Sequence, residues 1–213
     1  MKKSLKEILA PMSGKERVNY IWHYYKFHMI GVIVLVVIAS TTINGIINKK
    51  DVMLNIMIVG EKMDTAKIED ITEKINVELL NEKERDKYEI SIQAVPFSTT
   101  NIDPQMQVGL QKMAAELAGG FIDVLLVEKS FFDEMNLEGN LLDIKELSGA
   151  QALPYQDDQI YMSEDERVTG IHASAIKLFE NAIYDENVVL CIPGNTKNEA
   201  NVSTFLSYMV EEK

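Results

Sequence analysis

Few side chains in this 213-residue sequence could carry out chemistry. The histidines are His23, His28 and His172, and the single cysteine is Cys191. His23 and His28 sit just before a long apolar run, which leaves His172 as the imidazole of the acidic remainder. One histidine and one distant cysteine do not make a zinc site, and no carboxylates are spaced to complete one. Ser174 follows His172 by two residues, but no G-x-S-x-G elbow presents it, and that spacing at a strand end does not give triad geometry. Gly119-Gly120 precedes a strand pattern, the wrong order for a phosphate cradle at a helix start. Asp157-Asp158 and Glu164-Asp165-Glu166 lack the D-x-D-x-D-G spacing of a calcium loop and read as solvated turns. Asn201-Val202-Ser203 fits a glycosylation sequon, yet it falls at a helix start, where it serves as a cap. Cys191, inside the apolar run Val188 to Ile192, reads as a buried small hydrophobe, and a lone cysteine forms no intrachain disulfide. The expectation is a non-catalytic chain with no cofactor and no metal.

The element that must position everything else is Met29 to Ile47, MIGVIVLVVIASTTINGII, 19 residues without a charge. At about 1.5 Å per residue it reaches about 28 Å, close to the thickness of a bilayer's hydrocarbon core. The run is too long and too far from the start for a signal peptide, and Met29 to Ala39 lacks the polar face of a soluble core helix. It predicts a transmembrane helix, with the hydroxyls of Ser40, Thr41 and Thr42 bonding back to helical carbonyls and the Asn44 amide reaching the headgroups. Domains follow from it: residues 1–28 as a basic, aromatic head, 29–47 as the span, and 48–213 as one domain.

Charge divides sharply across the span. The head holds six basic residues, Lys2, Lys3, Lys6, Lys15, Arg17 and Lys26, against Glu7 and Glu16, a net of +4. Removing these from the chain's 21 basic and 33 acidic residues leaves 15 and 31, a net of −16. The positive-inside rule keeps the head in the cytoplasm and places the acidic domain outside. An acidic domain of this kind repels phosphates, so nucleic acid is excluded as a partner. Partners expected are the lipid bilayer and another envelope or transporter protein. Tyr20, Trp22, Tyr24, Tyr25, Lys26 and Phe27 are predicted to anchor the head at headgroup depth.

The head opens with a short amphipathic piece ending before Pro11, and Ser13-Gly14-Lys15-Glu16 then has the form of a capping box. No proline intervenes before Asn48, so one helix can run from that box through the span. Beyond it, strand and helix patterns alternate. Met53 to Val59 reads as a strand buried on both faces. Asp64 caps a helix whose Ile68, Ile71, Ile75 and Leu79 share a face, ended by the polar run Asn81 to Lys87. Tyr88 to Val95 is a second strand. Asp103-Pro104 starts a helix with Met106, Leu110, Met113 and Leu117 on one stripe, and Gly119-Gly120 stops it. Ile122 to Val127 is a third strand, with Asp123 at its start. A short helix at Ser130 to Met135, a hairpin of Gln159 to Met162 with Arg167 to Ile171, and a helix at Ser174 to Ala182 come next. A buried strand at Val188 to Ile192 and a closing helix at Glu199 to Glu211 complete the chain. The fold class expected is α/β, a mostly parallel sheet with helices on both faces.

The segment Gly119 to Leu147, GGFIDVLLVEKSFFDEMNLEGNLLDIKEL, resembles the first lobe of extracellular solute-binding proteins of the sugar and oligopeptide type. The shared pattern is a strand with an early aspartate, a short helix, and the stretch Gly139-Asn140-Leu141-Leu142. Val168 to Ser174 and Val188 to Val210 look like pieces that return to that lobe. At most about 20 to 40 residues could stand for the second lobe, less than a normal domain. The resemblance thus implies a single periplasmic-binding-protein-like lobe. The whole arrangement resembles uncharacterised single-pass membrane proteins of Gram-positive bacteria.

The function expected is a membrane-anchored, extracytoplasmic binding or interaction module. The alternative is a small-molecule receptor, for sugar or peptide, that completes a cleft with a partner or transporter subunit. Ligands of open α/β sheets meet the carboxyl ends of strands. That nominates Gly60, Glu61, Pro96, Phe97, Glu128 and Lys129 as the partner or ligand surface.

Overall fold

The computed structural model describes residues 10–47, 49–98, 104–149, 153–185 and 187–211. The amphipathic piece before Pro11, the Asp103 cap and most of the loop leading to it lie outside the described residues. The chain forms two compact units, Met1–Lys49 and Lys50–Lys213.

The first unit is built on one helix, α1 (Gly14–Ile47), of 34 residues. Its start takes one arm of the expected box, the glutamate's, while the serine hydroxyl donates to the carboxylate and does not accept the Glu16 amide. The Ser13 amide and hydroxyl both donate to Glu16 Oε2 at 2.8 Å, and the Arg17 amide bonds Ser13 O at 3.0 Å. Those donors hold the Glu16 carboxyl below its ordinary pKa, the backbone amide contributing most. Arg17 folds back as well, its Nε on Met12 O at 2.8 Å. Trp22–Thr41 is long and apolar enough to cross a membrane, and none of it is buried within the protein. That stretch begins earlier than Met29 because it takes in the aromatic residues. Thr41 Oγ1 bonds Ile38 O at 2.9 Å and Val37 O at 3.1 Å, so a hydroxyl in the apolar helix finds its acceptors in the preceding turn.

The second unit is a six-stranded sheet with helices on both faces. In chain order it holds β1 (Asp51–Gly60), α2 (Thr65–Leu79), α3 (Glu82–Arg85), β2 (Tyr88–Pro96) and α4 (Pro104–Ala118). There follow β3 (Val124–Glu128), α5 (Lys129–Leu137), α6 (Ile144–Ser148), β4 (Ile160–Met162), β5 (Val168–His172), β6 (Val188–Cys191) and α7 (Glu199–Glu211). The sheet order is β2-β1-β3-β6-β5-β4. Strands β2, β1 and β3 are parallel neighbours, whereas β6 is antiparallel to both β3 and β5, and β4 is antiparallel to β5. The sheet is therefore mixed, with its parallel neighbours confined to the β2-β1-β3 half. A short hairpin joins β4 to β5, and antiparallel strands need nothing longer.

Alternation along β1 sends Leu54, Ile56 and Ile58 to one face and Met57 and Val59 to the other, all buried. The first face is covered by Ile68 and Ile75 of α2, Ile144 of α6, and Val202, Phe205, Leu206 and Met209 of α7. Met113 of α4 and Phe132 and Met135 of α5 cover the second. Asp64 caps α2 through the amides of Ala66 and Lys67. From the middle of α2, Asn76 reaches the edge strand: its Oδ1 accepts from Ile90 N and its Nδ2 donates to Ile90 O, both at 2.8 Å. A side chain thereby occupies edge groups that would otherwise recruit a strand.

Three local expectations differ from the structure, the first being that Asn201 does not cap the closing helix but lies inside α7, its Nδ2 donating to Met53 O at 2.8 Å. The polar run Asn81 to Lys87 holds an extra turn, α3, because Asn81 and Glu84 form a capping box of their own. Ser174 to Ala182 is not a helix but part of two 3-10 turns, Ala173–Ala175 and Lys177–Phe179. Ile176 between them is extended (φ −93°, ψ 105°) and buried, so the β-branched residue enters the core at the cost of helical continuity.

Candidate functional site

The six strand-exit residues do share one edge of the sheet. Gly60 pairs with Pro96 in the β1–β2 register, and Phe97 N bonds Gly60 O at 2.9 Å. Glu61 accepts from Ser98 Oγ at 2.8 Å. Glu128 lies two residues beyond Leu126, the partner of Ile58, and so at the level of Gly60 on the neighbouring strand. Lys129 opens α5 and pairs with Asp133, Nζ to Oδ2 at 2.6 Å.

Lys129 belongs to a further arrangement. Its Nζ lies 5.3 Å from the centre of the Tyr161 ring, and that ring stacks on His172 at 6.3 Å. His172 Nδ1 in turn meets Ser174 Oγ at 2.9 Å. The serine and histidine are closer than their spacing suggested, because the 3-10 turn after β5 swings Ser174 back over the strand end. Among the described residues no carboxylate hydrogen-bonds the imidazole, and no group of three or more His, Cys, Asp or Glu side chains converges as a metal site. The pair has a base beside a hydroxyl without the third group that orients a triad.

At the other end of the sheet is a buried polar network. Asp123, 1% exposed, accepts from Asn55 N at 2.8 Å, from Thr196 Oγ1 at 2.6 Å, and from Asn198 Nδ2 at 3.1 Å on each oxygen. The network continues outward. Asn55 Nδ2 donates to Phe121 O at 2.7 Å, Gln93 Nε2 to Asn55 Oδ1 at 2.9 Å, and Lys112 Nζ to Gln93 Oε1 at 2.6 Å. One carboxylate thus fixes the start of β3, the middle of β1 and the segment after β6. Its charge is tolerated in the core because each oxygen is served by donors.

The segment after β6 then shapes a cavity. The turn Pro193-Gly194-Asn195 is tied to α5's end by Gly194 N on Asn140 O at 2.7 Å, and to α4's end by Asn195 Nδ2 on Leu117 O at 2.7 Å. Gly120 (φ +65°) lets the chain pass beneath it, since a Cβ there would lie 2.4 Å from Asn195 O. Between the two helices this bridge closes one end of a cleft of about 630 Å³. Its lining is chiefly apolar, with Met113, Leu117, Phe131 and Met135, and carries Glu134 and Glu138. None of the six strand-exit residues lines it. The cleft lies toward the amino end of β3, because β6 runs antiparallel to β3 and its exit returns there.

Sequence reasoning singled out Asp123 but missed its partners and the cleft. Asn55, a polar residue in the middle of the apolar run MLNIMIV, is the signal by which the network could have been found. The head's aromatic residues lie on α1: the Tyr20 and Tyr24 rings meet tilted, centres 4.7 Å apart, Lys26 Nζ stands 5.2 Å from the Phe27 ring, and Trp22 and Tyr25 are exposed. Compared with known proteins, the chain matches no family model, no curated protein and no solved structure.

Proposed function

We propose that the chain is a membrane-anchored binding module whose α/β domain stands outside the cytoplasm and binds in the cleft between α4 and α5. The observation that carries this reading is the bridge of Pro193-Gly194-Asn195 across both helix ends, held from below by Asp123. A cavity of about 630 Å³ falls in the range typical of small-molecule sites, and its apolar lining with a few polar groups is their usual composition. Two methionines add adaptability to the lining. The net +4 head, the uncharged run and the net −16 domain support the orientation.

In this reading the domain is a single lobe of the solute-binding kind. Support comes from β5 and β6, the late segments that return to the sheet beside β3. The cleft lies within the lobe, so binding needs no second lobe or partner subunit to close it. The domain is taken as non-catalytic, and the strand-exit edge carrying Glu61, Phe97 and Glu128 is left as a face for an envelope partner.

The test uses the full chain in lipid nanodiscs with 13C-labelled methionine methyls. Pools of small molecules are expected to include ligands that shift Met113 and Met135 while leaving Met53, Met57 and Met209 in place. Replacing Ala114, an exposed residue of the cleft wall, by Trp is expected to abolish those shifts without unfolding the domain. Cleft methyls that respond to no ligand would overturn the reading.

A further inference from the structure

The cleft carries an electrostatic bias that its apolar floor does not require. Two of its lining residues are acidic, Glu134 and Glu138, and none is basic. Both are exposed: Glu134 lies in the last turn of α5 and Glu138 caps its carboxyl end four residues on, as like charges that repel. Glu138 accepts a hydrogen bond from Asn140 Nδ2 at 2.7 Å, while the Glu134 carboxylate has no bonded partner among the described residues. Helix α5 ends between them and has no base in its last turn, so both carboxylates meet the negative end of the helix dipole. Helix α4 ends at the same cleft, also without a base in its last turn. Its terminus is partly answered from outside, where Lys197 Nζ reaches Gly119 O at 2.8 Å.

Like charges beside a helix carboxyl end are unfavourable in the empty protein, and a cation at the mouth of the cleft relieves both terms. We propose that the cleft takes a small organic cation with an apolar body. An ammonium group sits at Glu134 and Glu138, and the body packs on Met113, Leu117, Phe131 and Met135. The closed end under Asn195 favours a small molecule over a helix or strand laid through the groove. This inference rests on the cleft being the binding site.

Three measurements on the full chain, in nanodiscs of zwitterionic lipid, separate it from that reading. The probe is 4-phenylbutylammonium, the comparison its uncharged alcohol analogue 4-phenylbutanol, and the readout the Met113 and Met135 methyl shifts. The cation is expected to shift both methyls and to bind about threefold or more tighter than the alcohol, the scale of ion pairing at exposed carboxylates. A Glu134→Gln, Glu138→Gln double variant is expected to remove that preference and keep the alcohol's weaker binding. Equal binding of cation and alcohol, or a double variant that keeps the preference, overturns the cation inference and leaves the cleft as a site. Failure of both probes to shift either methyl in the wild-type chain overturns the inference; the broader binding reading is then decided by the ligand pools above.

Discussion

Replacing Asp123 by Ala should destabilise the α/β domain by roughly 3 kcal/mol, and the number follows from what the carboxylate serves. Its removal strands the Asn55 amide, the Thr196 hydroxyl and the Asn198 amide nitrogen around a site that is 1% exposed. Each buried donor left without an acceptor costs about 1 to 3 kcal/mol, and the two from the 193–198 segment recover part of that by turning to water. For a domain of this size about 1 kcal/mol moves the melting temperature by about 2 to 4 °C, so a drop of roughly 6 to 12 °C is expected. Asp123→Asn keeps one acceptor oxygen but turns an NH2 group toward a donor, and should lose about half as much. Far-UV circular dichroism in nanodiscs is the assay, because the single tryptophan, Trp22, lies in the other unit and does not report on this fold. Since Asp123 also holds the turn that closes the cleft, the Ala variant should lose the ligand-induced Met113 and Met135 shifts below its melting temperature. A variant melting within about 2 °C of wild type would refute the role given to this carboxylate.

Other perturbations have separate readouts. Gly170→Ala places a Cβ 2.7 Å from Phe132 Cε2 and Val189 Cγ1, and overpacking of this kind should cost about 1 to 3 kcal/mol in a urea melt; an unchanged midpoint would contradict the packing described. Asn76→Ala unpairs both backbone groups of Ile90 on the edge strand, so amide exchange at Ile90 should rise while the Met113 methyl stays fixed. Burial pushes the Cys191 thiol far above its ordinary value, so a maleimide at pH 7.5 should leave the native chain unlabelled and label it fully in denaturant. Asp165 in the β4–β5 turn is held below its ordinary 3.8, first by Ser163 and then by Arg167. With a lowered folded pKa, its contribution is present above the unfolded value and lost as pH falls through the folded one. Amide exchange in the hairpin, extrapolated to a common intrinsic rate, should therefore rise only below about pH 4, and a transition near neutrality would count against that assignment.

Most of the fold could be read from the chain because its signals are local. The Glu16 arm of the Ser13–Glu16 box, the Asp64 cap and the Gly119-Gly120 stop each act within a few residues, and the structure uses all of them. The hairpin of β4 and β5 was legible for the same reason. Sheet order was not, since nothing near Val188 to Cys191 says that the strand inserts antiparallel between β3 and β5. Ser174 to Ala182 carries helical spacing, but burial of Ile176, Leu178 and Phe179 together decides its course. The cleft was hidden for a related reason. Its walls come from Met113, Phe131 and Asn195, far apart in sequence, and its closure depends on hydrogen bonds between a turn and two helix ends. Strand-exit loops are where α/β sheets most often bind, and that prior drew attention to Gly60, Pro96 and Glu128 at the opposite end.

The proposed placement of the α/β domain outside the membrane, held there by one uncleaved helix, is tested directly by labelling in cells. Cys191 is buried, so the wild-type chain gives a silent background. Lys15→Cys in the head and Lys145→Cys on α6 place one exposed thiol on each side of the span. In intact, wall-stripped cells of a Gram-positive host, a membrane-impermeant maleimide should label the Lys145→Cys chain alone, and both chains after lysis. Labelling of Lys15→Cys in intact cells, with Lys145→Cys protected, would place the α/β domain in the cytoplasm and overturn this orientation.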